Sequence, residues 1–175
     1  MQKIYDKAKR IRLAVFDVDG VMTDGTLYLT DSGEEIKGFN SRDGHGMKML
    51  QDSGVEIAFL TGRTSRCVEL RAQDLGIKLV FQGATDKGRV LTDLLAARKI
   101  EASATAFMGD DVVDLPALLR CGLALTVPDA PPLVKQHADY VTQASSGRGA
   151  VREVCELIMH AQGLLEGLLT TYLKQ

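Results

Sequence analysis

Apolar residues fall in short runs separated by polar, glycine- and aspartate-bearing segments. LAVF at 13–16, VEIAFL at 55–60, LVF at 79–81, ATAFM at 104–108 and LALTV at 123–127 are too short for helices and read as strands, with Tyr140 and Val141 as a last edge strand. The segments 26–29 and 35–39 flank Asp31, Ser32 and Gly33, a turn composition that predicts a β-hairpin. Elsewhere the pattern lengthens to a helical period. A short polar helix is predicted over about 3–11 and another near 46–53. A third runs over 65–75, with Gly76 as its stop. Further helices are predicted over 87–98, with Leu91, Leu94 and Leu95 on one side, over 115–120, and from about Ala150 onward, fraying at Gly163 and Gly167.

Strands that alternate with helices and are apolar throughout predict an α/β fold, with a mainly parallel sheet covered on both faces. The protruding hairpin is the one element outside that alternation. There is no internal repeat, linker or low-complexity stretch, so the expectation is one three-layer, Rossmann-like domain over 1–175 with no insertion large enough for a separate cap domain.

Composition narrows the partners. Lys plus Arg number 21 against 23 Asp plus Glu, a net charge of −2 that gives no bulk attraction to nucleic acid or an anionic membrane. The first twenty residues hold basic groups but no apolar stretch long enough for a signal peptide. The apolar segment 157–173 is interrupted by His160, Gln162 and Glu166, which argues against a membrane span. Cys67, Cys121 and Cys155 are an odd count without a CxxC pair, as expected for reduced thiols of a cytoplasmic protein. His45, His137 and His160 have no catalytic or metal-binding spacing and read as surface or packing residues.

Recognition of any charged substrate must therefore be local, and in such sheets ligands bind at the carboxyl ends of the strands. Four polar clusters fall there: Asp17-Val18-Asp19-Gly20, Thr61-Gly62-Arg63, Lys87, and Gly109-Asp110-Asp111 followed by Asp114. Two carboxylates after an apolar strand are costly to bury without a counter-charge. A hard divalent cation is the natural partner, with Asp110 as a third donor, and Mg2+ suits so sparse a set of carboxylates. A carboxylate can attack phosphorus to form an aspartyl-phosphate. A second acid two residues on lies on the same side of an extended chain, where Asp19 can protonate a leaving alkoxide and then deprotonate water. Thr61 offers a hydroxyl and nearby amides to phosphoryl oxygens, and Lys87 a positive charge. Singly, each cluster has a plainer reading as a helix cap, turn or solvated charge. Their joint occurrence in this order reverses that reading.

This ordered set resembles the haloacid dehalogenase superfamily, whose aspartate phosphatases carry DxDG, Thr/Ser, Lys and GD(D)xxxD. The resemblance implies Asp17 as nucleophile, Asp19 as general acid/base, and magnesium held by the Asp17 side chain, the Asp19 backbone carbonyl and Asp110, with Asp111 and Asp114 as supporting acids. The segments FDVDGVMTDG, FNSRDGHGMKML, LTGRTSRCVELRAQDLGI and YVTQASSGRGAVREVCELI, with the capless length, look like the 3-deoxy-D-manno-octulosonate 8-phosphate phosphatases of lipopolysaccharide biosynthesis. That resemblance implies a cytoplasmic homotetramer in which hairpins and neighbouring subunits close each active site, and a phosphorylated acidic sugar as substrate. Related phosphatases act on nine-carbon keto acid sugars.

Such a substrate has anions at both ends and hydroxyls between. Arg63 and Arg71, eight apart on one predicted helix, are candidates for its carboxylate, which a guanidinium grips in bidentate fashion. Asn40, Ser41, Arg42, Asp43 and Gly44 read as a polar loop suited to sugar hydroxyls, with Lys48 as a further candidate. Gly62 belongs to the phosphate loop, and Arg148, in the run SSGRG, is expected to reach a neighbouring subunit's site with the C-terminal tail. Two rivals are a signalling receiver, which lacks an acid at the position of Asp19, and a non-catalytic tetramerising relative. Nucleotide binding has no support, since neither GxxxxGK[ST] nor GxGxxG follows the first strand.

Overall fold

A computed structural model describes residues 1–174. Six strands form one parallel sheet in the order β5-β4-β1-β6-β7-β8: β1 (Leu13–Phe16), β4 (Glu56–Leu60), β5 (Leu79–Phe81), β6 (Thr105–Met108), β7 (Leu123–Thr126) and β8 (Tyr140–Val141). Every residue of β1, β6 and β7 is buried, so both sheet faces are covered, as their unalternating sequences require. β1 lies at the centre between β4 and β6, which makes its carboxyl end the point where the strand order reverses.

The helices form two contiguous groups. α7 (Ala150–Ala161) packs against α1 (Gln2–Ala8), α2 (Ser41–Asp52) and α8 (Leu165–Tyr172), and α2 against α3 (Arg66–Leu75). α4 (Lys87–Arg98) packs on α5 (Leu115–Leu118), and α5 on α6 (Pro132–His137). α7 buries Val151, Val154, Cys155, Ile158 and Met159 on one stripe. His160 and His45 are exposed and lie edge-on to Tyr5 and Tyr172 respectively. Among the described residues no helix is long and apolar enough to cross a membrane.

Three elements differ from the sequence reading. α2 begins at Ser41 rather than near 46, because the Asn40 side chain caps it by accepting the N–H groups of Arg42 at 2.9 Å and Asp43 at 3.4 Å. The residues 41–44 are thus its first turn, not a loop. The C-terminal helix is two helices, broken where Gly163 takes φ +73. α6 was not anticipated.

The hairpin pairs β2 (Tyr28–Leu29) with β3 (Glu35–Ile36), shorter than expected, and Leu27, Tyr28, Leu29 and Ile36 are exposed on it. The buried Asp43 of α2 accepts the N–H of Arg152 at 2.8 Å and of Gly149 at 3.4 Å, capping α7 across the fold. Burial pushes the Asp43 carboxyl above its ordinary value despite these hydrogen bonds.

Candidate active site

The sheet ladder continues one residue past each central strand and so sets the site. Asp17 N–H donates to Met108 O at 2.9 Å, Thr61 N–H to Phe81 O at 2.9 Å, and Gly109 N–H to Leu125 O at 3.2 Å. The loops leaving β1, β4 and β6 are thereby held side by side. A cavity of about 520 Å³ opens over them, within the usual range for small-ligand sites. Asp17, Asp19, Thr61, Gly62, Arg63, Lys87, Asp110 and Asp111 line it. The four sequence clusters therefore meet at one place.

At its floor, Lys87 Nζ lies 2.7 Å from Asp17 Oδ2 and 2.5 Å from Asp114 Oδ1. Asp114 is fully buried, and its Oδ2 accepts the N–H groups of Asp110 at 3.0 Å and Asp111 at 3.1 Å. Asp17 Oδ1 accepts the N–H of Val18 at 2.7 Å. Burial, and then the Asp114 charge, raise the Asp17 carboxyl from 3.8 to about 7. Burial, then Asp17 and Asp114, raise Asp110 likewise to about 7. Burial alone would depress the Lys87 ammonium, but Asp17 and Asp114 outweigh it and hold its pKa above the ordinary value.

One carboxylate oxygen from each of Asp17, Asp110 and Asp114 lies within 4.8 Å of the others. Three converging acids face one ammonium, so the pocket carries unbalanced negative charge of the kind a divalent cation neutralises. The donors are all oxygens, the set that Mg2+ prefers. Asp114 is fully buried and does not line the cavity, whereas Asp17 and Asp110 do, which leaves those two as the side chains placed to hold the ion. Gly20, at φ +82, lets the Asp110 carboxylate close against the first loop; a Cβ there would overlap it.

Asp19 lines the same cavity. Its Oδ1 pairs with Lys37 Nζ, while its buried Oδ2 has no hydrogen-bond donor and lies 3.8 Å from Arg63 Nε. Arg63 Nη2 and Lys37 Nζ both reach Glu35 Oε1, at 3.0 and 3.1 Å. Arg63 does not share a helix with Arg71: Ser65 is the N-cap, so Arg63 stays in the loop at the cavity. Arg71 instead donates to Asn40 O at 3.2 Å, pairs with Asp74 at 2.8 Å, and lies 5.7 Å from the Phe39 ring centroid.

The other sugar-binding candidates are not brought to the cavity within one chain. Asn40 caps α2, Asp43 caps α7, and Gly44 gives room to the Arg71 guanidinium. Ser41, Arg42 and Arg148 are exposed, and Lys48 borders a separate depression with Gln51 and Gln73. Lys37, which sequence reasoning passed over, was legible only in the alternation Glu35-Ile36-Lys37, which puts both charges on one side of the strand.

This fold and this floor of three carboxylates and a lysine define a haloacid dehalogenase-like hydrolase, and residues 79–154 match that family. The chain is 46% identical to a 3-deoxy-D-manno-octulosonate 8-phosphate phosphatase of Yersinia pestis over 164 residues, covering 94% of this chain and 88% of that protein. A Moraxella catarrhalis 3-deoxy-D-manno-octulosonate 8-phosphate phosphatase, solved with magnesium, phosphate and KDO, superposes with TM-score 0.97 at 41% identity, over 98% of this chain and 99% of that one. The cobalt-bound deoxy-D-mannose-octulosonate 8-phosphate phosphatase of Haemophilus influenzae matches with TM-score 0.89 at 43% identity, over 93% and 99% of the two chains. The chain belongs to the 3-deoxy-D-manno-octulosonate 8-phosphate phosphatase family.

Proposed function

We propose that this chain, acting as one phosphatase domain over 1–175, hydrolyses 3-deoxy-D-manno-octulosonate 8-phosphate to the free sugar acid and phosphate, with Mg2+ as cofactor. The observation that carries this reading is the convergence of Asp17, Asp19, Thr61, Lys87 and Asp110 on one cavity. Asp17, the Asp19 backbone carbonyl and Asp110 hold magnesium, which when bound offsets the repulsion between these carboxylates and a phosphate dianion.

A carboxylate oxygen of Asp17 attacks phosphorus, and the ester P–O bond breaks with its electron pair leaving on the sugar oxygen. That oxygen takes a proton from Asp19. Water then attacks the aspartyl-phosphate, giving its proton to Asp19, and the bond between Asp17 and phosphorus breaks to release phosphate. Thr61 and the Gly62 amide bind phosphoryl oxygens, and Lys87 balances their charge. Arg63, at the cavity mouth, takes the sugar acid's carboxylate.

The same reading makes the protein a cytoplasmic homotetramer with active sites at subunit interfaces. The exposed Leu27, Tyr28, Leu29 and Ile36 of the hairpin and the free cysteines support it. Asn40, Ser41, Arg42, Asp43, Gly44, Lys48, Arg71 and Arg148 contribute to the sugar site only as far as that assembly brings them to it. Phosphate release should require Mg2+ and fall by about 10³-fold or more in Asp17→Asn. Comparing kcat/KM for eight- and nine-carbon keto acid sugar phosphates tests the substrate. Equal values would withdraw the eight-carbon assignment, and an active Asp17→Asn would withdraw the nucleophile.

A further inference from the structure

Lys37 follows the second strand of the hairpin and has a side chain only 2% exposed, unusual for a lysine in so small an element. It does not line the cavity. Its Nζ reaches one oxygen of Asp19 from the side and Glu35 at 3.1 Å. Glu35 in turn holds Arg63 Nη2 at 3.0 Å, and the backbone carbonyl of Glu35 accepts from the Cys67 thiol at 3.3 Å. The strand is thus fastened to the loops after β1 and β4 at once. The consequence for Asp19 is asymmetric. One oxygen is anchored by the ammonium, and the other is buried without a donor, on a residue that lines the cavity.

We infer that Lys37 is a positioning residue: by anchoring one oxygen of Asp19 it aims the other at the oxygen of the scissile ester. The inference rests on the role given to Asp19 above. An aspartate has two rotatable side-chain bonds, and a proton-transfer group is effective only within hydrogen-bond reach of the atom it serves. Lys37 supplies that restraint from the hairpin without touching substrate.

The test is a double-mutant cycle in the full-length protein with magnesium and 3-deoxy-D-manno-octulosonate 8-phosphate. Lys37→Met should lower kcat by about 10- to 100-fold with KM changed by less than about threefold, and Lys37→Arg should recover part of the loss. In an Asp19→Asn background, Lys37→Met should change turnover by less than about twofold, because the group it aims is already disabled. Independent, multiplying losses in the cycle would overturn the inference, as would an unimpaired Lys37→Met. Should Lys37→Met fail to fold on thermal melting, Lys37→Gln is taken through the same cycle and judged by the same two outcomes. An Asp19→Asn variant as active as the parent would instead strike the role of Asp19 itself, and is read separately from additivity.

Discussion

Asp114 Oδ1 lies 2.5 Å from Lys87 Nζ while its Oδ2 accepts the backbone N–H groups of Asp110 and Asp111. One buried carboxylate thereby fixes both the ammonium beside Asp17 and the loop that presents Asp110. Asp114→Ala should destabilise the protein by about 1–3 kcal/mol, since it leaves the Asp110 and Asp111 amides without their acceptor while Lys87 keeps Asp17. Turnover should fall with it. Asp114→Asn keeps an acceptor for the amides and should lose less stability. Urea unfolding with parallel kinetics checks this; parental stability in the alanine variant would show that the loop and lysine hold without it.

Gly20→Ala is expected to act twice. The φ of +82° costs an alanine about 1–2 kcal/mol, and the methyl also displaces the Asp110 carboxylate, raising the magnesium concentration needed for half-maximal activity. Gly33→Ala provides the contrast, because at φ +84° nothing surrounds its added methyl. It should show the conformational cost alone. Identical magnesium dependence in both variants would contradict the contact at Asp110.

Asp17 and Asp110 titrate near 7, above their ordinary 3.8. With raised folded-state values, their contribution to metal-free stability is present below about 4 and is lost as pH rises through about 7. Magnesium takes the deprotonated carboxylates, so its apparent affinity, and the thermal stabilisation it gives, should climb up to about pH 7 and level off above. Calorimetry and melting curves across that range measure both. A magnesium-induced shift independent of pH would remove these two acids as the responsible donors.

Asp43 ties α2 to α7. Asp43→Ala should cost about 1–2 kcal/mol as a lost helix cap, with kcat/KM left close to the parent's. Asp43→Asn should cost less. A collapse of kcat/KM with stability intact would place the carboxylate at the sugar instead.

Much of this was legible in the sequence. The strands 79–81 and 140–141 and helix 87–98 fall where their apolar runs and leucine stripe put them. Asp17, Thr61, Lys87 and Asp110 could be grouped because parallel strands deliver their following loops to one edge. What escaped was side-chain bonding that no periodicity encodes. Asn40 looked like a loop residue because its capping role depends on the amides it accepts. Arg63 and Arg71 were set on one helix although Arg63 precedes its predicted first residue, and the structure keeps Arg63 in the loop at the cavity. Lys37 was hidden just past a two-residue strand, where no motif or ligand spacing marks it.

β1 is complete by residue 16, yet its two sheet partners are residues 56–60 and 105–108. The first turn of α2 waits longer still, for amides 106 and 109 positions downstream of Asp43. On the ribosome, a fully buried central strand and the earliest long helix therefore emerge before the segments they fold against. Native assembly is deferred until residues 149–152 have been synthesised, and until its partner strands arrive LAVF is an unpaired apolar stretch that the nascent chain must keep shielded.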